Sequence, residues 1–142
     1  MKSLRAQDMQ IECMTARKNS ANIERFKREA QILLDLQSPY IVHLFDYFTE
    51  GSYRYMVEEL VDGMALDKLI QKQTVISPQV ALLIMQDACL ALKYAHSKDI
   101  VHRDIKPHNV MVLKNGSVKV ADFGIARLMS KGNTLTKEAL GS

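Results

Sequence analysis

The chain has 142 residues, of which 47% are hydrophobic and 25% are charged, and its net charge is +3. This length suits one domain with its own core and is too short for two ordinary domains. The composition is that of a soluble globular protein and excludes a disordered chain. Because lysines and arginines are scattered among acidic residues, no basic tract indicates nucleic-acid binding, and we expect no nucleic-acid partner.

The sequence carries no pattern for export or membrane insertion. Its N-terminus lacks an apolar signal core, and no stretch reaches the roughly 18 apolar residues that a membrane span needs. Two cysteines, Cys13 and Cys89, cannot form a disulfide framework, so we expect buried free thiols in a reducing compartment. These features predict a cytoplasmic chain, and they leave open a membrane anchor elsewhere in the parent protein.

The first half of the chain alternates between helix and strand patterns. In chain order, we predict a strand remnant and loop before Ser20, an amphipathic helix over 22–37, strands over 41–48 and 53–61, and a short helix ending at Lys72. Pro39 ends the first helix, because the residue before a proline avoids helical dihedrals. Gly51 marks a hairpin between the strands, and Gly63 interrupts the second strand pattern.

A long helix is predicted in the second half. Ser77 has the residue type of an N-cap, and Pro78 suits the first helical position. The helix extends to about Ser97 and is apolar on nearly all sides. A helix of this kind is normally buried, so we expect it to lie at the centre of its lobe.

The segment from His102 to Gly124 carries the chemistry. It reads His-Arg-Asp-Ile-Lys-Pro-His-Asn over 102–109 and Asp-Phe-Gly over 122–124. Asn115-Gly116 lies midway between Asn109 and Asp122, and Asn-Gly between apolar strands is the strongest short hairpin pattern. A hairpin closed at this dipeptide is predicted to place Asn109 directly opposite Asp122.

Such a hairpin would assemble a group of oxygen ligands. Cross-strand neighbours have Cβ atoms roughly 5 Å apart, and amide and carboxylate oxygens held that close suit Mg²⁺ together with phosphate oxygens. Asp104 belongs to the same loop as Asn109 and adds another carboxylate. Each residue taken alone would more often be a cap or turn residue, so the indication rests on the joint pattern.

This joint pattern resembles the catalytic loop and metal-binding motif of protein kinases, and the run over 120–127 is most similar to bacterial Hanks-type serine/threonine kinases. The resemblance covers nearly the whole chain. It implies an α+β fold: part of a small antiparallel-sheet lobe with one helix, then the first part of a helical large lobe. Residues 1–142 would form a partial kinase domain, with 1–58 as the small-lobe remainder, 59–63 as the linker, and 64–142 as the start of the large lobe, ending in the activation segment.

The resemblance implies a role for each residue of the loop and hairpin. Asp104 would orient the substrate hydroxyl and accept its proton, and Lys106, typical of the serine/threonine type, would contact the transferred phosphate. Asn109 and Asp122 would hold Mg²⁺, with Asp122 also part of the nucleotide site. Met111 would form the floor under adenine.

A second group of residues supports the resemblance. Glu29 lies on the otherwise apolar stripe of the first helix, where a carboxylate needs a cation. In protein kinases this glutamate pairs with a strand lysine that contacts ATP phosphates, and Lys2 resembles that lysine, with an enlarged loop between them. The backbone of Glu59 and Val61 in the linker would bind adenine. Glu58 departs from the family, which usually has an apolar residue or threonine there, so either the register slips by one or the pocket is unusually polar.

The resemblance also implies regulatory positions. Arg103, beside Asp104, would read a phosphate on the activation segment, with Thr134 and Thr136 as the candidate phosphorylation sites. Ser142 would lie near the catalytic loop, where the family usually has threonine.

The implied function is ATP-dependent phosphorylation of serine or threonine in protein substrates, with ATP and Mg²⁺ as cofactors. A kinase dimer in the complete protein is compatible with this function. Two alternatives stay open. The chain lacks a glycine-rich loop before Lys2 and stops inside the activation segment, which suits an inactive truncated fragment acting only as a nucleotide-binding or interaction module. A small-molecule phosphotransferase shares the Asp-x-x-x-x-Asn loop, but Arg103 and the Phe123-Gly124 pair favour a protein kinase.

Overall fold

A computed structural model of the chain describes residues 9–15, 20–51 and 53–123. In chain order its elements are β1 (Met9–Thr15), α1 (Ser20–Leu34), β2 (Leu44–Glu50), β3 (Tyr53–Glu59), β4 (Gly63–Ala65), α2 (Leu66–Gln73), α3 (Pro78–Ser97), a 3-10 turn (Pro107–Asn109), β5 (Val110–Leu113) and β6 (Val118–Val120). The helices and the β2–β3 and β5–β6 hairpins lie near their predicted places, but some bounds differ. Helix α1 ends at Leu34, before the predicted end at residue 37 and well before Pro39, and β2 begins at Leu44 rather than at residue 41.

The first sheet is antiparallel and has the order β1-β3-β2. Along β3, alternate residues are buried, with Met56 fully enclosed and Arg54 and Glu58 each 8% exposed. Helix α1 covers this face, because its Leu33 belongs to the same hydrophobic cluster as Met56. The sheet and α1 together form the small antiparallel unit that the sequence predicts.

The second sheet, of order β4-β5-β6, depends on a glycine. Gly63 pairs with Leu113, and a Cβ added at Gly63 would lie 2.2 Å from the Val112 carbonyl oxygen. Only glycine permits this close approach of two backbones. Gly63 therefore does more than interrupt the preceding strand pattern, because it begins the strand that carries the linker into the second sheet.

Helix α3 begins as predicted, since the Ser77 hydroxyl accepts a hydrogen bond from the Val80 N–H at 3.3 Å. The expectation that α3 is buried on nearly all sides is wrong for the residues that the structure describes. One face is buried, through Ile84, Ala88, Ala91 and Ala95, whereas other apolar positions are exposed, namely Val80, Leu82, Leu83 and Met85. Cys89 is also exposed rather than buried, because it lies away from the packed face. Within the described residues no helix has the length and apolar character needed to cross a membrane.

One core joins the two sheets. Met56 of the first sheet, Ala91 of α3 and Val120 of β6 belong to one buried cluster. The segment that enters β2 also bonds to β6, because the Val42 N–H donates to the Val120 carbonyl at 3.0 Å and the Val120 N–H donates to Tyr40 at 2.8 Å. These bonds join the β5–β6 hairpin to the segment that enters β2.

Candidate active site

The hairpin that presents the two motifs is confirmed, but its register differs by one residue from the prediction. Val110 pairs with Val120, and beyond this pair the Ala121 N–H donates to the Asn109 carbonyl at 2.9 Å. Asn109 therefore lies opposite Ala121, and Asp122 follows one position later. The expectation that Asn109 faces Asp122 directly is wrong.

The turn explains the shift. The Leu113 N–H donates to the Ser117 carbonyl at 2.9 Å, and the Gly116 N–H donates to the Leu113 carbonyl at 3.0 Å. Gly116 has a φ of +87°, the left-handed conformation that ends a three-residue hairpin loop. The loop is thus one residue longer than a two-residue Asn-Gly turn, which displaces every cross-strand pair.

Asn109 is enclosed in the catalytic loop and fixes its shape. The residue is 2% exposed, and its side-chain amide donates to the Asp104 carbonyl at 2.8 Å and to the Asp104 carboxylate at 3.4 Å. Its Oδ1 atom accepts no hydrogen bond from any residue that the structure describes. A buried carbonyl oxygen normally has a partner, so this atom is available to a ligand.

Asp104 is paired with Lys106. The Lys106 ammonium lies 2.9 Å from the Asp104 carboxylate, whose side chain is 42% exposed. The hydrogen bond from Lys106 lowers the pKa of Asp104, with smaller contributions from the Lys106 charge and from the Asn109 hydrogen bond, while desolvation acts in the opposite direction. A carboxylate with a lowered pKa is a weak base, so this geometry favours orienting a hydroxyl over removing its proton early.

His102 connects the catalytic loop to the strand end that carries Asp122. The imidazole is 3% exposed, with Nε2 2.8 Å from the Ala121 carbonyl and Nδ1 accepting from the Asp104 N–H at 3.2 Å. Since a carbonyl only accepts and an amide N–H only donates, this arrangement requires the neutral Nε2–H tautomer. Phe123 packs edge-on against the ring at 4.6 Å between centroids.

The role of His102 was not predicted from the sequence. The only available sequence indication was its place directly before Arg103 and Asp104, after the apolar pair Ile100-Val101. Its partner is the main-chain carbonyl of Ala121. Every residue type has such a carbonyl, so the sequence does not indicate this hydrogen bond.

Two site residues have a left-handed backbone conformation without being glycine. Arg103 has a φ of +70° and Asp122 a φ of +59°. Such conformations cost about 1–3 kcal/mol each and persist where surrounding contacts impose them. Both residues lie in the two predicted motifs, which agrees with a functional site.

The linker residues lie between the first sheet and the hairpin. The Glu59 N–H donates to the His43 carbonyl at 2.8 Å, and the Val61 carbonyl accepts from the Gly63 N–H at 3.0 Å. Met111, the expected floor under adenine, pairs with Lys119 across the hairpin. Glu58 is buried in β3 directly before Glu59.

Several predicted site residues lie outside the described residues: Lys2, Thr134, Thr136 and Ser142. Glu29 lies in α1 as predicted, but its side chain is not described. The strand that precedes α1, β1, has the sequence MQIECMT and contains no lysine or arginine. The pairing of Glu29 with Lys2 stays a prediction.

The loop over 102–109 has oxygen atoms that would suit a magnesium ion shared with phosphates. Among residues 9–15, 20–51 and 53–123, no three His, Cys, Asp or Glu side chains cluster closely enough to hold a metal by themselves. Mg²⁺ does not need such a cluster, because it keeps several waters and binds through one or two protein oxygens plus substrate phosphates. The unpartnered Oδ1 of Asn109 provides one such oxygen beside Asp104.

Comparison with known proteins agrees with this site. Residues 3–142 match the protein kinase domain family. The chain is 44% identical over 120 residues to serine/threonine-protein kinase PknB of Mycolicibacterium smegmatis, covering 81% of this chain and 19% of that protein. It is 44% identical over 121 residues to serine/threonine-protein kinase PrkC of Bacillus subtilis, covering 84% and 19%.

A third relative, serine/threonine-protein kinase PknB of Mycobacterium leprae, is 40% identical over 119 residues, covering 81% of this chain and 19% of that protein. The chain thus spans about a fifth of the length of these curated relatives. The match to the family extends over almost every residue, including both motifs of the site. The chain belongs to the protein kinase family.

Proposed function

We propose that the protein carrying this chain transfers the γ-phosphoryl group of ATP to serine or threonine hydroxyls of protein substrates. The observation that carries this proposal is the arrangement of the catalytic loop. Asp104 is held by Lys106 on its carboxylate and by Asn109 on its main-chain carbonyl. Phosphoryl transfer depends mainly on positioning and electrostatics, and this loop offers both.

In this proposal each residue of the loop acts on a defined atom. Asp104 orients the acceptor hydroxyl and takes its proton as the new bond forms, and Lys106 contacts the transferred phosphate. Asn109 and Asp122 would hold Mg²⁺, which neutralises charge on the β- and γ-phosphates when bound. His102 keeps the loop next to the strand end that carries Asp122 through its bond to Ala121.

The nucleotide base would bind at the linker. The backbone groups of Glu59 and Val61 would hydrogen-bond adenine, and Met111 would lie under the ring. Glu29 would pair with Lys2 near the α- and β-phosphates. The relatives support this proposal because their names describe serine/threonine-protein kinases.

Regulation would act through the activation segment. Arg103 would bind a phosphate on Thr134 or Thr136, because an arginine beside the catalytic aspartate is suited to an incoming anion. Ser142 would lie close to Asp104 and Lys106. Phosphopeptide mapping of the full-length parent in its active form tests this point, and unmodified Thr134 and Thr136 would contradict it.

The experiment for the main proposal uses the full-length parent protein. Purified protein, radiolabelled ATP and Mg²⁺ are incubated with a generic protein substrate, beside an Asp104→Ala variant. We expect phosphoserine or phosphothreonine that depends on Mg²⁺ and disappears in the variant. Equal labelling by both proteins, or labelling of small molecules alone, would contradict the proposal.

A cytoplasmic location and a kinase dimer remain predictions.

A second candidate function is a nucleotide-binding or interaction module without catalysis. The observation that favours it is the sequence of β1, MQIECMT, because this strand before the helix that carries Glu29 contains no lysine or arginine. The same assay separates the two functions, because a module binds Mg-ATP without producing phosphoprotein.

A further inference from the structure

One ion pair connects the linker to the hairpin that leads to Asp122. The Lys119 ammonium, on β6, lies 2.7 Å from the Glu59 carboxylate, at the end of β3. The two residues are 60 positions apart in the sequence. The contact therefore joins the segment expected to hold adenine to the strand that precedes the metal-binding motif.

Glu59 is held from a second side by the segment that enters β2. Its carboxylate oxygen Oε2, the atom that binds Lys119, also accepts from the His43 N–H at 3.3 Å. Its own N–H donates to the His43 carbonyl at 2.8 Å. The main chain and the side chain of Glu59 are thus both fixed, and Lys119 neutralises the charge of the Glu59 carboxylate.

The Lys119–Glu59 pair is shielded from water. The Lys119 side chain is 15% exposed and that of Glu59 is 26% exposed. Lysine is rarely this enclosed unless it is paired. On β6 the neighbours of Lys119, Val118 and Val120, are in the core, so Lys119 occupies the other side of the strand.

A second ion pair between the linker and the hairpin provides a comparison. Lys114 lies 2.6 Å from Asp62, but the two side chains are 78% and 75% exposed. Exposed ion pairs contribute little, whereas hydrogen bonds between charged groups that are partly buried contribute more. Two lysine–carboxylate pairs of similar length therefore differ mainly in burial.

We infer that Lys119 is a positioning residue for nucleotide binding, acting through Glu59 to hold the linker backbone against adenine. Lys119 also lies directly across the hairpin from Met111, the expected floor under the base. The inference rests on the proposed function, since it concerns the same nucleotide site. It assigns to Lys119 a role in binding the base and none in contacting the phosphates.

The test compares matched variants of the full-length parent protein. Lys119→Met removes the shielded pair, Lys114→Met removes the exposed pair, and Lys119→Arg restores a cation. Affinities for Mg-ADP and for adenosine alone are measured by calorimetry, and hydrogen exchange is measured for the amides of residues 59–63.

We expect Lys119→Met to weaken both ligands by about tenfold, which corresponds to one charged hydrogen bond. Faster exchange over residues 59–63 should accompany this loss. Lys114→Met should stay within about twofold of the wild type, and Lys119→Arg should recover most of the affinity. Glu59→Gln, which keeps an acceptor oxygen for His43 and Lys119 but removes the negative charge, should weaken both ligands in the same direction and by less.

Distinct outcomes would overturn the inference. Equal effects of Lys119→Met and Lys114→Met would show that the shielded ion pair is no more important for nucleotide binding than the exposed one. Loss of Mg-ADP affinity without loss of adenosine affinity would show that Lys119 acts on the phosphates. If Lys119→Met fails to fold, Glu59→Gln decides by the same readouts. If the wild type binds no nucleotide, the proposed function fails, and the exchange data alone decide whether Lys119 holds the linker.

Discussion

The side-chain amide of Asn109 donates to the main-chain carbonyl of Asp104 at 2.8 Å, so one buried motif residue sets the backbone of another. The Asn109 side-chain N–H donates this hydrogen bond, whereas its side-chain carbonyl oxygen receives none from the described residues and can bind a ligand. The loop therefore combines a structural bond and a ligand position in a single side chain.

Replacement of Asn109 by aspartate should destabilise the loop that contains Asp104. The variant loses the donor to Asp104 and places a second carboxylate near the Asp104 Oδ2 atom, which is 3.4 Å from the present amide. We expect a loss of about 1–3 kcal/mol in the free energy of unfolding, measured by urea denaturation. Asn115→Asp is the control, because Asn115 acts as an acceptor for Ser117 and aspartate keeps that role. Equal stability of both variants would contradict the importance of the Asn109 donor.

Removal of Lys106 should raise the pKa of Asp104. The hydrogen bond from Lys106 is the main cause that lowers this pKa from 3.8. Because the folded-state pKa is below the unfolded one, the stabilising contribution of Asp104 is present above pH 3.8 and is lost as the pH falls through the folded-state value. Carbon-detected NMR titration should show a higher pKa for Asp104 in Lys106→Met than in the wild type. An unchanged pKa would show that the ion pair does not form in solution.

Gly63→Ala should destabilise the chain through a backbone clash. The new Cβ would lie 2.2 Å from the Val112 carbonyl, so β4 must move away from β5. Overpacking of this kind costs about 1–3 kcal/mol or more. Gly116→Ala is the matched control, because it has a φ of +87° but open space around it, so only backbone strain of about 1–2 kcal/mol applies. Thermal denaturation should rank Gly63→Ala as the less stable variant, and the reverse order would contradict the clash.

Removal of Lys2 should weaken nucleotide binding. In protein kinases a strand lysine contacts the ATP phosphates and pairs with a helix glutamate, and the proposed function assigns these roles to Lys2 and Glu29. We expect Lys2→Met in the full-length parent to weaken Mg-ADP binding, measured by calorimetry, and to leave the binding of adenosine, which has no phosphate, unchanged. Unchanged Mg-ADP affinity, or equal losses for both ligands, would contradict this role of Lys2.

The 142-residue chain, made alone, should not phosphorylate substrates at a useful rate. Helix α3 exposes apolar side chains, with Leu82 70% and Leu83 62% accessible, so the support behind the catalytic loop is weak. A displacement of about 1 Å at the reacting groups can reduce the rate about a hundredfold. A radiolabelled ATP assay of this chain, beside Asp104→Ala and the full-length parent, should show activity only in the parent. Transfer by the chain well above the Asp104→Ala background would show that it is a minimal kinase.

Local sequence patterns were enough to predict several elements of the fold and the two motifs of the candidate site. The Ser77-Pro78 start of α3, the hairpin at Asn115-Gly116 and the two motifs of the site are all short-range patterns. N-caps, tight turns and hydrophobic periodicity act between residues a few positions apart, so they can be read from one sequence.

Tertiary structure decided the rest. The bond from His102 to a main-chain carbonyl and the Lys119–Glu59 pair both depend on how distant segments meet. The exposed face of α3 has the same origin, because an apolar face is buried only where another element packs on it. Residue types alone do not specify such partners, since backbone groups look alike at every position and the alignment of two segments depends on the packing of the whole core.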